Sequence, residues 1–317
     1  MSLHILSLYP LKPEHVNMIQ AAQPNAVINS ATAKQAAAFL PQTDILIAFG
    51  QTDLTPILPQ APKLRWIHAL SAGVDQFLSL EQFRNSDIIL TNSRGIHGIT
   101  IAEHVLGIML GNSRCLFTAH EQQKAHLWKP LRDMDELYEK TATIIGLGSI
   151  GHEIAKRLKN MGMKVLAVKR TAASEPFVDQ LYSSRETKAA VANADYVIVS
   201  LPLTPETKGL FNRSLFQQMK PSAYFINIAR GPIVNENDLQ QALKEHMIRG
   251  AALDVFEQEP LPKESPLWDT PNLLITPHQA ASSPQYMQRA LSIFIENLQH
   301  FPDASKMKNS VNKKRGY

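Results

Sequence analysis

Residues Thr143-Ile144-Ile145-Gly146-Leu147-Gly148-Ser149-Ile150-Gly151 form the stretch that decides the fold. An apolar run enters a Gly-x-Gly-x-x-Gly pattern, and a helical pattern follows over 150–160. Gly146 would allow a tight turn, Gly148 would let the backbone approach a pyrophosphate, and Gly151 would let a helix pack closely on a strand. The free N–H groups of that helix would face the phosphates. The stretch predicts a dinucleotide site in a βαβ unit; the alternative is a glycine-rich turn that binds nothing.

Apolar runs alternate with helical patterns on both sides of this stretch. The N-terminal part has helical patterns that include 13–22 and 32–40, and candidate strands at 4–8, 26–28, 44–49, 64–68 and 87–90. A second series of candidate strands covers 142–145, 164–168, 196–200, 223–228, 250–253 and 273–276. These runs lack the two-residue alternation of a half-exposed strand, as expected when helices cover both faces of a parallel sheet. The pattern predicts an α/β protein with two Rossmann- or flavodoxin-like parallel-sheet domains.

The formal charge of the 317-residue chain is concentrated at its C-terminal end. The chain has 32 Lys and Arg against 28 Asp and Glu, a net charge of +4, and a sequence pI of about 9.0. Residues 302–317 hold five cations against Asp303, which accounts for the whole +4 and leaves residues 1–301 neutral. A generally basic protein is therefore excluded. We expect no nucleic-acid partner, because a solvated end anchored by Gly316 and Tyr317 is favoured over a nucleic-acid arm.

Cysteine content and hydrophobic patterning exclude further classes. Cys115 is the only cysteine, so neither an intrachain disulfide nor a cysteine-cluster metal site can form, and we predict no metal. No run of 18 apolar residues occurs, and the first residues lack the basic region and cleavage site of a signal peptide. We therefore expect no membrane partner and a cytoplasmic location.

The residues after the second strand of the βαβ unit bear on cofactor choice. An NAD site usually has an acidic residue there to bind the ribose hydroxyls. This chain has Lys169-Arg170-Thr171 instead, and no acidic residue occurs before Glu175. Lys and Arg attract a 2′-phosphate that a carboxylate would repel. The segment predicts a preference for NADP(H), with NAD(H) still possible; the alternative is that both cations are solvated loop residues.

Further segments occur in the order found in one known family. They are Ser71-Ala72-Gly73-Val74-Asp75, Ala102-Glu103-His104, Leu201-Pro202-Leu203-Thr204-Pro205-Glu206-Thr207-Lys208-Gly209, Asn227-Ile228-Ala229-Arg230-Gly231-Pro232, Ala252-Leu253-Asp254-Val255-Phe256-Glu257-Gln258-Glu259-Pro260-Leu261 and Thr276-Pro277-His278. Through these motifs nearly the whole chain resembles the D-isomer-specific 2-hydroxyacid dehydrogenase family. That family includes glyoxylate and hydroxypyruvate reductases, phosphoglycerate dehydrogenases, D-lactate dehydrogenases and formate dehydrogenases.

The resemblance implies a catalytic trio of Arg230, Glu259 and His278. Reduction of a 2-keto acid needs a hydride at C2, a proton at the carbonyl oxygen and a group that holds the carboxylate. His278 can supply the proton, since imidazole titrates near neutral pH. Glu259 would stabilise the imidazolium, and Arg230 would bind the carboxylate through paired N–H donors. Singly, each residue also fits a plain surface, loop or capping role; together they favour catalysis.

Other site residues are implied by the resemblance alone. Ala72 and Gly73 match the loop whose backbone N–H groups bind the substrate carboxylate in the family. Arg230 and His278 complete the predicted set of substrate-binding residues. Asp254 matches a residue that contacts the nicotinamide amide. His104 is expected to be a core histidine, and Arg94, His97 and His152 are given no role. The cofactor set is completed by the three glycines and by Ser149, Ile150, Lys169, Arg170, Pro202, Thr207, Ile228, Ala229 and Arg230.

The resemblance also implies how the domains are arranged. A discontinuous substrate-binding domain would comprise residues 1–95 and 286–317, and a dinucleotide-binding Rossmann domain would comprise 96–285. The active site would lie in the cleft between them. A homodimer would be built around the helix near 101–110 and the following arm.

The leading functional hypothesis is an NADP(H)-preferring reductase that converts small 2-keto acids such as glyoxylate or hydroxypyruvate to D-2-hydroxy acids. One alternative is an NAD-linked dehydrogenase of the D-lactate or phosphoglycerate type. Lys169 and Arg170 argue against it, and so does the lack of the extra C-terminal regulatory domain that phosphoglycerate enzymes often carry. The other alternative is a catalytically silent, nucleotide-sensing binding protein.

Overall fold

The computed structural model describes residues 2–32, 34–170 and 174–314. The chain divides into two compact units, unit 1 being Met1–His97 with Ser283–Tyr317 and unit 2 being Gly98–Ser282. The boundaries predicted from the sequence, 95/96 and 285/286, differ from these by two and three residues. The expected anchors Gly316 and Tyr317 lie outside the described residues, and so does Thr171, which follows the predicted cofactor-binding residues Lys169 and Arg170.

Twelve strands and ten α-helices occur in the described residues. The strands are β1 (His4–Ser7), β2 (Val27–Ser30), β3 (Ile45–Ala48), β4 (Trp66–Ala69), β5 (Ile89–Asn92), β6 (Thr141–Ile145), β7 (Lys164–Val168), β8 (Gln180–Tyr182), β9 (Tyr196–Val199), β10 (Tyr224–Asn227), β11 (Gly250–Leu253) and β12 (Leu273–Ile275). The helices are α1 (Pro13–Ala22), α2 (Asp75–Ser79), α3 (Glu81–Arg84), α4 (Gly98–Ser113), α5 (Leu116–Lys124), α6 (Ser149–Asn160), α7 (Thr187–Ala192), α8 (Arg213–Phe216), α9 (Glu236–Lys244) and α10 (Tyr286–Leu298).

Unit 1 is built on a five-stranded parallel sheet with the order β2-β1-β3-β4-β5. Every residue of β3 and β4 is buried, because apolar side chains pack on both faces of the sheet. Helices α1 and α10 pack together over one face. The predicted helix over 32–40 is wrong: the chain forms short 3₁₀ turns at Ala36–Ala38 and Leu40–Gln42, the second of which contains Pro41.

The C-terminal segment returns to the edge of this sheet. The Val311 N–H donates to the Leu90 carbonyl at 2.8 Å, and Ser310 bridges Thr91. The Lys313 ammonium is half-buried and donates to carbonyl oxygens of three residues, Phe83, Ser86 and Ile88. Burial lowers the pKa of Lys313. At least one cation of the basic tail is therefore a structural anchor rather than a solvated charge.

Unit 2 has a seven-stranded parallel sheet with the order β12-β11-β10-β9-β6-β7-β8. The prediction of two parallel-sheet α/β domains is confirmed. Strand order reverses at β6, whose carboxyl end leads into α6, and α4 packs on α6. Ligands of open α/β sheets bind beyond the carboxyl ends of the strands near such a reversal. The candidate residues of unit 2 follow the carboxyl ends of β6, β7, β9, β10, β11 and β12.

No helix in the described parts of the chain is long and apolar enough to cross a membrane.

Candidate active site

The loop that carries Arg230 follows the buried strand β10. Asn227, the last residue of β10, is fully buried; its Oδ1 accepts the Ala229 N–H at 3.0 Å and its Nδ2 donates to the Arg230 carbonyl at 3.2 Å. The Arg230 guanidinium donates to the Ala229 carbonyl at 2.7 Å. A Cβ on the next residue, Gly231, would lie 1.8 Å from the Phe256 carbonyl carbon. The absence of a side chain at 231 therefore lets the Arg230 loop touch the loop that holds Glu259.

Glu259 and His278 are hydrogen-bonded to each other. His278 Nδ1 lies 2.6 Å from Glu259 Oε2, and the other carboxylate oxygen accepts the Phe256 N–H at 3.0 Å. Rather more than a third of each side chain is exposed. This contact orients the ring and leaves His278 Nε2 as the atom that can exchange a proton with a ligand.

Asp254 fixes the loop on both sides of His278. Its carboxylate is buried and accepts the Thr276 hydroxyl at 2.5 Å and the backbone N–H groups of Gln279 and Ala280 at 3.0 Å each. The His278 N–H donates to the Asp254 carbonyl at 2.8 Å, and His278 adopts a left-handed backbone with φ of 49°. A conformation that costs free energy for a non-glycine residue persists because surrounding bonds hold it.

His104, expected to be a core histidine, contacts this network. Its Nε2 lies 3.3 Å from the Thr276 hydroxyl and 3.9 Å from Asp254 Oδ1. Burial lowers the pKa of His104, and the Asp254 charge opposes that effect. Since Thr276 donates its proton to Asp254, a neutral His104 with the proton on Nε2 can donate to the Thr276 oxygen.

The glycine-rich loop between β6 and α6 has the geometry of a phosphate-binding turn. Gly146 has φ of 101°, and a Cβ there would lie 2.8 Å from the Ser200 carbonyl oxygen. A Cβ on Gly151 would lie 2.4 Å from the Gly146 carbonyl oxygen, whereas one on Gly148 would meet no atom within 4 Å. Helix α6 begins at Ser149, so the N–H groups of its first turn, including that of Ile150, have no partner within the helix.

The two cations after β7 lie beside carboxylates. Lys169 forms an ion pair with Glu175, whose second oxygen lies 3.2 Å from His152 Nε2. The hydrogen bond from Lys169 lowers the pKa of Glu175. A hydrogen bond from Thr204, and to a smaller extent the charge of Arg170, lower the pKa of Glu206.

The segment after β9 forms a hydrogen-bonded turn. The Thr207 hydroxyl donates to the Pro202 carbonyl at 2.8 Å and accepts the Thr204 N–H at 2.8 Å. Ile228 and Ala229, beyond β10, are both buried. These contacts give the four predicted cofactor residues a fixed backbone, and their contact with a cofactor stays a prediction.

In unit 1, the Ala72–Gly73 loop is bound by its neighbours through side chains and carbonyls. The Ser71 hydroxyl accepts the Gly50 N–H at 2.9 Å and donates to the Gly73 carbonyl at 2.7 Å, while Asn92 donates to the Ala72 carbonyl at 2.8 Å. Across residues 2–32, 34–170 and 174–314, the N–H groups of Ala72 and Gly73 donate to no protein acceptor. Two adjacent N–H groups can thus receive an anion.

Residues 106–280 match the model of the "D-isomer specific 2-hydroxyacid dehydrogenase, NAD binding domain" family. The chain belongs to the D-isomer-specific 2-hydroxyacid dehydrogenase family.

Relatives and solved structures of this family match well beyond that segment. Glyoxylate/hydroxypyruvate reductase B of Pectobacterium carotovorum is 35% identical over 248 residues, 76% of this chain and 77% of the relative. D-3-phosphoglycerate dehydrogenase of Methanocaldococcus jannaschii is 32% identical over 97% of this chain, which spans only 59% of that relative's length.

Among solved structures, a family protein from Aeromonas salmonicida has a TM-score of 0.91 and 36% identity, over 99% of this chain and all of that one. The NADPH-dependent glyoxylate/hydroxypyruvate reductase of Sinorhizobium meliloti, solved with NADP and sulfate, has a TM-score of 0.84 and 28% identity over the whole of both chains.

Two residues of the family's segments, Asn227 and Thr276, are not among the site residues predicted from the sequence. Asn227 and Thr276 stand inside the quoted motifs, and the structure makes them the internal supports of the Arg230 and His278 loops. A polar residue at the buried end of a strand is a signal that could have indicated Asn227. His152 and His104 carry no such local signal, because their partners are 23 and 172 residues away in the sequence.

Proposed function

We propose that this chain is an NADP(H)-preferring reductase that converts small 2-keto acids, such as glyoxylate or hydroxypyruvate, to D-2-hydroxy acids. The observation that carries the proposal is the 2.6 Å contact between His278 and Glu259, in a loop packed against the Arg230 loop through Gly231. This is the arrangement of a proton donor, its orienting carboxylate and an anion-binding guanidinium.

In the proposed reaction, the C2 carbonyl of the keto acid becomes a secondary alcohol. His278 in its protonated form donates the Nε2 proton to the carbonyl oxygen, and Glu259 stabilises the imidazolium that precedes the transfer. Arg230 holds the substrate carboxylate and draws electron density from the carbonyl. A reduced nicotinamide, when bound, would supply the hydride to C2. The reverse reaction uses neutral His278 as the base.

The residues of the glycine-rich loop fit a dinucleotide. Gly148 leaves open space where a side chain would block a pyrophosphate, and the N–H groups of Ser149 and Ile150 begin a helix beside it. Lys169 and Arg170 would bind the adenosine 2′-phosphate. The NADP bound by the Sinorhizobium reductase supports this preference. Asp254 is proposed to meet the nicotinamide amide, and Pro202, Thr207, Ile228 and Ala229 to line the cofactor.

The Ala72 and Gly73 N–H groups are proposed to bind the substrate carboxylate. Their lack of a protein acceptor within the described residues supports this role. The small side chains at 72 and 73 would let a ligand approach the backbone closely.

The decisive measurement is NADPH oxidation across glyoxylate, hydroxypyruvate, pyruvate and longer 2-keto acids, repeated with NADH. We expect turnover of the two- and three-carbon acids and a kcat/KM for NADPH above that for NADH. A tenfold preference for NADH would contradict the cofactor assignment. Tight cofactor binding without turnover of any acid would favour a nucleotide-sensing binding protein instead.

A second candidate is an NAD-linked dehydrogenase of the phosphoglycerate or D-lactate type. The 32% identity to the Methanocaldococcus phosphoglycerate dehydrogenase favours it, and so does the carboxylate of Glu175 beside Lys169. Oxidation of D-3-phosphoglycerate or D-lactate with NAD, faster than any keto-acid reduction with NADPH, would establish it.

We further propose that a second copy of the chain covers α5 and the following arm, giving a homodimer. Trp128 is 98% exposed, and Leu116, Phe117 and Leu127 are each more than 40% exposed. Exposed apolar side chains grouped in one segment of the chain are a mark of an interaction site. Light scattering after gel filtration is expected to give twice the 35.3 kDa chain mass, and a Trp128→Ser variant is expected to weaken association. A monomer at micromolar concentration would contradict the proposal.

A further inference from the structure

The cation expected to attract the cofactor's 2′-phosphate already has an anionic partner. Lys169, the first residue after β7, forms an ion pair with Glu175. The second Glu175 oxygen lies 3.2 Å from Nε2 of His152, which belongs to the first turn of α6. Only 10% of the Glu175 side chain is exposed, whereas about a third of each of the Lys169 and His152 side chains is exposed. The carboxylate is thus enclosed between two basic groups at the end of the strand where the adenosine ribose is expected.

The ionisation of Glu175 agrees with this position. The hydrogen bond from Lys169 lowers the pKa of the carboxyl group, with the charges of His152 and Lys169 acting in the same direction against burial. Glu175 is therefore anionic at neutral pH, and its charge offsets that of Lys169. Counting the basic residues near this strand end thus overstates the positive charge available to a ligand.

We propose that Glu175 is a cofactor-specificity residue that occupies the 2′-phosphate subsite of the free protein and must leave Lys169 before NADP(H) can bind there. The proposal deepens the proposed function and rests on it only in that a dinucleotide binds at the glycine-rich loop.

The reason is competition between two anions for one ammonium group. A phosphate monoester carries a charge of about −1.5 to −2 at neutral pH and would be repelled by an adjacent carboxylate. NAD(H) has a hydroxyl at that position and leaves the Lys169–Glu175 pair undisturbed. Glu175 therefore weakens the binding of NADP(H) but not that of NAD(H). It thereby reduces the preference for NADP(H) that Lys169 and Arg170 create.

The test compares two small probes that differ only in the 2′-phosphate: adenosine 2′,5′-bisphosphate and adenosine 5′-phosphate. Dissociation constants are measured by calorimetry for the wild type and Glu175→Gln. We expect the variant to bind the bisphosphate about two- to fivefold more tightly, the size of a partly exposed ion pair, and to bind the monophosphate as the wild type does. An unchanged ratio, or weaker binding of the monophosphate, would overturn the proposal.

Glu245→Gln is the matched control, because it makes the same charge change and breaks the exposed pair between Glu245 and Arg213 in the same unit. It should leave the probe ratio at the wild-type value. If it improves bisphosphate binding as much as Glu175→Gln does, net charge explains the effect and the proposal fails.

A double-mutant cycle with Lys169 keeps the proposal testable if Glu175→Gln also changes the local backbone. In a Lys169→Met background the bisphosphate should bind less tightly, and adding Glu175→Gln should give less than half of its effect in the wild type. An undiminished effect would show that Lys169 is not the contested group.

The binding measurements need no turnover. Lack of keto-acid reduction would therefore contradict the proposed function while leaving the proposal about Glu175 standing.

Discussion

Two loops at the carboxyl edge of the unit 2 sheet are held in different ways. The His278 loop after β12 is tied to buried Asp254 by the Thr276 hydroxyl and two backbone N–H groups. The segment after β7 depends on partly exposed ion pairs of Lys169 with Glu175 and of Glu175 with His152. Buried hydrogen bonds are costly to leave unmade, whereas exposed ion pairs contribute about 0–1 kcal/mol. If the two loops have the roles proposed above, proton transfer depends on rigid positioning of His278 and cofactor choice depends on the charges around Lys169.

The largest effect should come from the proton donor itself. His278→Gln is expected to lower kcat by about 10²–10⁴-fold, because it removes the acid and keeps a hydrogen-bonding side chain. NADPH binding, followed by fluorescence titration, should stay within about twofold of the wild type, since the cofactor residues are untouched. His300→Gln, in an exposed position of unit 1, is the control and should keep full activity. Near-normal turnover of His278→Gln would refute the assigned role.

Removing a support of the His278 loop should cost less than removing the acid. Thr276→Val deletes the hydroxyl between Asp254 and His104, and misplacement of the imidazole is expected to lower kcat by about 10- to 100-fold. The matched control is Thr143→Val, which deletes a buried hydroxyl bonded to the Ala190 carbonyl at 2.9 Å in the same unit.

Both threonine variants should unfold at a lower temperature, because each removes a hydrogen bond to a buried acceptor, Asp254 in one case and the Ala190 carbonyl in the other. Only Thr276→Val should lose kcat. If kcat falls equally in the two variants, the loss reflects stability, and the loop is not positioned by Thr276.

A smaller effect is expected at the glycine-rich loop between β6 and α6, where cofactor binding should depend on open space rather than on hydrogen bonds. Gly148→Ala should leave the unfolding temperature within about 2 °C of the wild type, because a Cβ there meets no protein atom. It should weaken NADPH binding by about tenfold or more, since the methyl group would face the pyrophosphate. Gly107→Ala in α4, which also has open space around it, is the control and should leave NADPH binding unchanged. Equal NADPH affinity in Gly148→Ala and the wild type would contradict the assigned role of Gly148.

The sequence predicted those parts of the molecule that depend on local pattern. Apolar runs predicted all twelve strands except β8, and the order of motifs predicted the family. Residues Arg230, Glu259 and His278 could be chosen because they match the trio that the family resemblance implies, and their roles stay a prediction. The prediction fails over 32–40, because the alanine-rich helical pattern there gives way to two 3₁₀ turns, the second of which contains Pro41.

Partners distant in the chain could not be predicted. In the sequence Glu175 is only the first acidic residue after β7, and its contact with His152 depends on how α6 packs on the sheet. His104 fitted a core role because its neighbours in α4 are apolar, yet its ring reaches Thr276, 172 residues later. Side-chain contacts of this kind are set by tertiary packing rather than by local sequence.

The last effect is on stability rather than on activity or cofactor binding. It concerns a buried polar network in unit 1, which extends the comparison of buried and exposed bonds to the other sheet. His68 is fully buried in β4, with Nδ1 2.8 Å from the Thr91 hydroxyl and Nε2 3.2 Å from the Ser93 hydroxyl. Burial lowers the pKa of His68 from 6.5 to about 3. The unfolded chain therefore binds a proton below pH 6.5 that the folded protein excludes.

Stability from this histidine is fully present above pH 6.5 and is lost as the pH falls toward 3. At about 1.4 kcal/mol per pH unit, protonation of the unfolded chain should lower the free energy of unfolding by about 2 kcal/mol between pH 7 and pH 5. Urea unfolding at the two pH values measures this loss. His68→Gln cannot be protonated, so its loss over the same interval should be smaller by about that amount, whatever its stability at pH 7. An identical pH dependence in the variant would show that the buried ring does not couple folding to proton binding. The comparison of buried and exposed bonds would then hold only for the two loops of unit 2.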